Sequence, residues 1–363
     1  MVNENLFSQG ARKILNYYPK IIDFVLKKPL IPITLEIQLT ERCNHHCPNC
    51  QSLLTLSRID VNKKANFGES LDINILNSIW KHPPDGIVLS GNTGEPLLHP
   101  QILQIIQIIE EKRIPTVLIT NGEALNPTIS AKLLKICRGI RISLDAFDSA
   151  TYSKIHGVHT ESWATTIQNI RELINIRKCM NISSYDCSIG IGYLTQDSSS
   201  KELKLAIENA IELNLDYIQF RPFHNNYSNI TNVIEKLRDY ETEKFKIYCS
   251  YQKYSNMENY KKDYSQCHGA WFYTVLDARG DIYLCCHNIG NPAAKFCSLK
   301  EMTWSDFLSS KERRSIIENF DISKCVQLCR LDTHNSLLQE ILDTKNIPPS
   351  LKDNLVNRHS PFL

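Results

Sequence analysis

The sequence predicts an α/β protein, a partial (βα)6 barrel of the TIM type followed by a small cysteine-rich α+β domain. Two observations carry this reading: six short β-rich runs alternate with helical stretches, and nine of the 13 cysteines fall into two well-separated regions. A third observation places the chemistry, because the first cysteine group follows directly on the first predicted strand.

The strands are "ITLEIQL" (33–39), "GIVLSG" (86–91), "TVLITN" (116–121), "IRISLD" (140–145), "CSIGIGYL" (187–194) and "YIQFRP" (217–222). Between them, "PQILQIIQIIEEKR", "SAKLLKICR" and "KELKLAIENAIELN" space their apolar residues three and four apart, as helices packed on a sheet do. Right-handed crossovers then build a parallel sheet that curls toward an incomplete eight-unit barrel, with a doubly wound open sheet as the structural alternative. The domain reading is a helical cap over 1–29, interrupted at Pro19, and the barrel over 30–232. A charged, tyrosine-rich helix and linker follow over 233–262, then the cysteine-rich domain over 263–335 and a tail over 336–363.

Lysine plus arginine (41) nearly balances aspartate plus glutamate (39), so no electrostatic signature of a nucleic-acid or membrane partner is present. No secretory signal stands at the beginning and no run approaches the roughly 18 apolar residues of a membrane span, which points to the cytoplasm. In that reducing compartment clustered cysteines are metal ligands or catalysts more often than disulfides.

Cys43, Cys47 and Cys50 stand in "TERCNHHCPNC" with no fourth cysteine in the loop. Structural zinc takes four ligands, which His45 and His46 would complete with two of the cysteines, whereas three thiolates on a 4Fe-4S cube leave one iron open. The Cys-x3-Cys-x2-Cys spacing after the first strand resembles the radical S-adenosylmethionine (AdoMet, SAM) superfamily. The resemblance implies a 4Fe-4S cluster on the three cysteines and AdoMet on the open iron, with Asn49 where the family usually carries an aromatic residue. "SGNTGEPLLHP" resembles the family's Gly-Gly-Glu-Pro segment, so Thr93, Gly94 and Glu95 are expected at the AdoMet ammonium group. By the same resemblance Asn121, Ser143 and Asp145 are expected near the ribose and carboxylate. Gly190 is expected at the adenine, and Gln219 or Arg221 in polar contact.

The second region reads "CHGAWFYTVLDARGDIYLCCHNIG", with Gly280 turning a hairpin between Cys267 and Cys285, and then "CVQLC" at Cys325 and Cys329. This resembles the SPASM and twitch iron-sulfur domains, and the cysteine count implies one auxiliary 4Fe-4S cluster on Cys267, Cys285, Cys325 and Cys329. Cys286 and Cys297 are left as substitute ligands or buried thiols, and four thiolates also suit zinc.

The resulting expectation is a radical SAM oxidoreductase that cleaves AdoMet to a 5'-deoxyadenosyl radical and abstracts hydrogen from a substrate C–H bond. The substrate is a ribosomally made peptide or, alternatively, a small cyclitol, sugar or related intermediate. The 42 residues before Cys43 leave little room for a peptide-recognition domain, which would then be a separate protein. An electron donor such as flavodoxin or ferredoxin is implied. Cys187 or Cys249 would serve as hydrogen donor in an epimerisation, and Asp145, His224 or His287 as a base; a non-enzymatic zinc-binding module is the remaining class.

Overall fold

The computed structural model describes residues 12–48, 50, 68–92, 94–195, 198–223, 229–256, 260–326, 329–344 and 362. Seven parallel strands run in chain order: β1 (Thr34–Gln38), β2 (Gly86–Ser90), β3 (Thr116–Thr120), β4 (Cys137–Ser143), β5 (Ser188–Thr195), β6 (Tyr217–Pro222) and β7 (Lys246–Cys249). All six expected strands are present. The seventh corrects the reading of 233–262 as helix and linker: Lys246–Cys249 pairs in parallel with β6 and buries Ile247 completely.

The cysteine-rich region extends this same sheet. Strand β8 (Tyr273–Leu276) lies parallel beside β1, with Thr34 opposite Tyr273, and the antiparallel strands β9 (Asp281–Tyr283) and β10 (Lys295–Ser298) complete that flank. Gly280 sits in the β8–β9 turn at φ 86°, a left-handed conformation that glycine adopts without a Cβ clash.

Helices cover the outer face for sequence-local reasons. Ile102–Lys112 buries Ile102, Ile105, Ile106 and Ile109, one stripe of a 3.6-residue period. Asn126 caps Pro127–Ile136, and Ser199 with Glu202 forms a reciprocal capping box on Ser200–Glu212. No helix among the described residues is long and apolar enough to cross a membrane.

Alternation along the strands decides what enters the barrel. Outward residues such as Ile140, Ile142, Ile189 and Ile191 join the main core under the helices. On the other face Val88 and Val117 make a small separate cluster with Phe362, whose carbonyl accepts from Lys13 Nζ at 2.9 Å. The inward face also carries polar residues: Glu36 and Gln38 on β1, Ser90 on β2, Arg141 on β4, Gln219 and Arg221 on β6. Arg221 of β6 lies within the electrostatic reach of Arg330, which pairs with Glu36 of β1. Five strand spacings on a flat sheet would hold them roughly 24 Å apart, so the sheet curls.

Candidate functional site

The loop after β1 is held by backbone contacts made possible by two glycines. A Cβ on Gly94 would meet Thr40 O at 2.2 Å and Arg42 O at 2.7 Å, and Glu95 N donates to Arg42 O at 2.8 Å. A Cβ on Gly157 would meet His46 O at 2.2 Å, where His46 N donates to His156 O at 3.0 Å. Side chains then fasten the loop to the end of β3. Asn121 Nδ2 donates to Asn44 Oδ1 at 2.8 Å, Asn44 Nδ2 to Glu123 Oε2 at 2.8 Å, and His45 Nε2 lies 2.9 Å from the same carboxylate oxygen.

Cys43, Cys47 and Cys50 share this loop and feel one another's charge. Burial pushes the Cys43 thiol up to about 11 and the Cys47 thiol up to about 12, and the neighbouring cysteines add to both shifts. Each deprotonates readily only beside a cation or metal. His156 was not singled out in the sequence. Its Nε2 is 2.9 Å from Leu144 O and its Nδ1 3.5 Å from Cys47 Sγ, so the ring braces a thiol of the motif. Burial, followed by the field of His156, holds the His45 imidazole down at about 4.

Glu95 is buried, and its carboxylate turns into the fold. Oε1 accepts from the Thr120 hydroxyl at 2.6 Å and from Leu97 N at 3.2 Å, and Oε2 accepts from Asn121 N at 2.8 Å. Three of its four lone-pair directions are therefore taken by the chain, leaving one on Oε2. Burial raises this carboxyl to about 7 against those hydrogen bonds. Ser143 ends β4 opposite Gly192. Asp145 adopts φ 55°, a left-handed conformation, accepts from Leu194 N at 2.7 Å, and stands 3.9 Å from His156 Nε2. Burial raises its carboxyl, against the fields of His156, Arg221 and Arg141.

Three of the expected residues are placed by their strands. The space kept by Gly190 is filled by Tyr217, whose carbonyl and ring lie 2.5 and 2.6 Å from where a Cβ would be, so the glycine lets β6 pack closely on β5. Cys187 precedes β5 at its N-terminal end, fully buried near Cys137, a strand length of roughly 23 Å from the ends where the cysteine loop sits. Cys249 is part of edge strand β7 rather than of a linker, and burial pushes its thiol up to about 12. Thr93, Asn49 and His224 lie outside the described residues.

A cavity in the C-terminal region is lined by Cys267, Cys285, Cys325 and Cys329 together with Tyr264, His287 and Arg330. The two remaining cysteines of the region point elsewhere. Cys286 is buried within hydrogen-bonding reach of Tyr273 and Asn92, in the fields of Glu36 and Arg330. Cys297 lies on β10 among Asp281, Lys295 and Glu301. Asp332, buried beside the cavity, accepts from Tyr264 OH, and its Oδ1 is 3.4 Å from Cys329 Sγ.

Spacing separates two metal chemistries. Zinc bonds thiolate at about 2.3 Å, which sets tetrahedral sulfurs roughly 3.8 Å apart, whereas the edge of an iron-sulfur cube holds them farther apart. Among the described residues, His45, Cys47 and His156 are the one set of three metal-type ligands within 4.8 Å of one another. The loop trio and the cavity quartet are all thiol, the donor type an iron-sulfur group takes.

Residues 37–198 match the family model described as the radical SAM superfamily. The chain is 22% identical over 185 residues to the tungsten-containing aldehyde ferredoxin oxidoreductase cofactor-modifying protein of Pyrococcus furiosus, over 50% of this chain and 49% of that protein. It thus spans about half the length of that curated relative. Among solved structures it resembles Streptococcus suis SuiB bound to precursor peptide SuiA, with TM-score 0.61 and 16% identity, covering 85% of this chain and 72% of that one. It also resembles anSMEcpe with bound AdoMet, with TM-score 0.55 and 14% identity, covering 83% and 88%. At these identities the structural likeness is one of fold.

Proposed function

The chain is a radical SAM superfamily enzyme, and from that premise we propose that it abstracts hydrogen from a C–H bond of a peptide substrate during maturation of a ribosomally made peptide. The carrying observation is the trio Cys43, Cys47 and Cys50, held on one loop that is clamped by Gly94, Asn121 and Gly157 at the strand ends. Radical SAM enzymes use a 4Fe-4S cluster and AdoMet, which when bound supply a 5'-deoxyadenosyl radical.

In this reading the three cysteines hold that cluster. Gly94 brings backbone close to the loop, and Glu95 offers its remaining lone pair to the AdoMet ammonium. Asn121 and Ser143 line the remaining polar part of the cofactor's bed, and Asp145 is placed to accept a proton. Cys267, Cys285, Cys325 and Cys329 hold an auxiliary cluster. A flavodoxin- or ferredoxin-type donor supplies electrons, a separate protein presents the peptide, and the enzyme works in the cytoplasm.

The peptide reading is supported by overall likeness to SuiB, whose structure holds a precursor peptide. Oxidation of a small cyclitol or sugar is the competing outcome. The first test replaces Cys43, Cys47 and Cys50 by alanine in anaerobically reconstituted protein. Formation of 5'-deoxyadenosine is expected to vanish while iron bound at the C-terminal cavity remains, and unchanged cleavage overturns the assignment. Product analysis with candidate precursor peptides then separates the two substrate classes.

A further inference from the structure

The barrel interior carries charge that neither the cofactor nor the cysteines explain. Arg141 on β4 donates to Gln219 Oε1 at 3.2 Å, and its guanidinium stem passes 3.4 Å from where a Cβ on Gly192 would be. Arg221 on β6 brings Nη2 to 3.2 Å from the same point, and its Nε is buried with no hydrogen-bond partner among the described residues. Gly192 thus keeps open the space where the two guanidinium groups meet. Arg330 approaches from the C-terminal region and donates to Glu36 Oε2 at 2.6 Å. Lys253 lies in the fields of both Arg221 and Arg330.

Among the described residues these four cations face two carboxylates, Glu36 and Asp145, an excess of two positive charges. Burial and the neighbouring cations lower three of the four: Lys253 is pushed down to about 8, Arg221 falls, and Arg141 falls well below its usual range, whereas, against its burial, Tyr273 and Glu36 raise Arg330. AdoMet does not neutralise this group, because its sulfonium and ammonium outnumber its single carboxylate. Cysteine thiolates account for part of it only. Lys253 feels Cys286 and Cys329 and Arg330 lines the four-cysteine cavity, whereas the largest charges acting on Arg141 and Arg221 come from each other's neighbourhood: Arg330, Tyr217, Glu36 and Asp145.

We propose that Arg141 and Arg221, backed by Lys253 and Arg330, form a site for an oxyanion of the substrate, a carboxylate or a phosphate, held inside the barrel between the two cysteine regions. The proposal rests on the radical-enzyme reading and narrows its substrate to one bearing such a group near the reacting C–H bond. Paired guanidinium groups suit bidentate oxyanion recognition, and a buried setting makes each contact strong.

The test uses full-length reconstituted protein with glutarate and inorganic pyrophosphate as probes, one for each source of oxyanion. Calorimetry is expected to show saturable binding of at least one, and the tighter probe identifies the group. Arg141→Met with Arg221→Met should weaken it at least tenfold, and by a larger factor than it weakens AdoMet. As a check independent of variant folding, the better probe should raise the melting temperature of unmodified protein above that seen in potassium chloride of equal ionic strength. Absence of binding by both probes, unchanged binding in the variant, or equal loss of AdoMet and probe overturns the site, the last because the arginines then hold the cofactor's own carboxylate. Formation of 5'-deoxyadenosine is followed in parallel: probe binding without cleavage leaves the site standing and sinks the radical reading, and cleavage without probe binding does the reverse.

Discussion

Glu36 is the perturbation with the largest expected consequence outside the cysteines. It is 2% exposed, on the inward face of β1, and donors converge on it from β1, the end of β2, β8 and the C-terminal region. Oε1 accepts from Gln38 Nε2 and Ser90 Oγ, both at 2.7 Å, and from Asn92 Nδ2 at 3.4 Å. Oε2 accepts from Tyr273 OH and from Arg330 Nη1. Glu36→Ala strands the Arg330 cation in the barrel and releases four neutral donors at once. Breaking a buried ion pair from one side destabilises by about 3–5 kcal/mol, and the neutral donors, which can re-pair with one another or with water, add little. Chemical denaturation of reconstituted protein should show a loss in that range. Arg330→Met in the Glu36→Ala background should recover part of it, giving a coupling of about 2 kcal/mol in a double-mutant cycle. A loss below about 0.5 kcal/mol, the size of an ordinary surface substitution, or zero coupling would refute the reasoning. Glu36→Gln offers a second readout: it raises the cationic excess inside the barrel, so the oxyanion probe should bind more tightly than to the unmodified protein.

Reconstituted protein should contain about eight irons, as two cubes require, and Cys325→Ala with Cys329→Ala should halve the content. Cys286→Ala and Cys297→Ala should leave it unchanged, because neither residue lines the four-cysteine cavity; a fall to about four irons in either would show that the cavity is ligated differently. Glu95 gives a pH signature. Its folded carboxyl, raised to about 7, binds a proton more tightly than the unfolded one at 4.5, so the folded state gains most below pH 4.5 and loses that gain as pH rises to 7. The span corresponds to about 3 kcal/mol, and Glu95→Gln should flatten that part of the stability profile measured by denaturation at a series of pH values. An unchanged slope would assign the pH dependence to another group.

The parallel strands were legible because strands buried on both faces become near-continuous apolar runs, as in "GIVLS" and "TVLIT". Strand β7 was missed for the opposite reason. It is four residues long at a sheet edge, and its single fully buried side chain, Ile247, stands among lysines and tyrosines that read as linker. Pairing of β8 with β1 leaves no local signal at all, since it joins residues from opposite ends of the chain. His156 was hidden similarly, in a helix whose pattern gives no hint that its C-terminal turn returns to the cysteine loop. The interior charges did carry a signal. Glu36 in "TLEIQ", Arg141 in "CRGIRIS" and Arg221 in "YIQFRP" are ionisable residues within otherwise buried strands, each at a position whose period-two neighbours face inward. A charge at such a position is retained only with a partner or a ligand, so reading the strands for it would have found the interior site.

Continuity of β8 with β1 also sets how the two cysteine regions relate to that interior. The loop of Cys43, Cys47 and Cys50 lies beyond the C-terminal end of β1, whereas Cys267 and Cys285 flank the hairpin of β8 and β9 on the neighbouring edge. Arg330 follows Cys329 directly, lines the four-cysteine cavity and reaches Glu36 on the inward face of β1. One side chain thus borders the C-terminal cysteines and the barrel interior together. A substrate oxyanion held by Arg141 and Arg221 would sit across the barrel from that contact, with its reacting carbon between the strand-end loop and the C-terminal cavity. Displacing Arg330 should therefore disturb substrate position and the C-terminal cysteines together, while the loop trio, fastened independently through Asn44, Asn121 and Glu123, keeps its geometry.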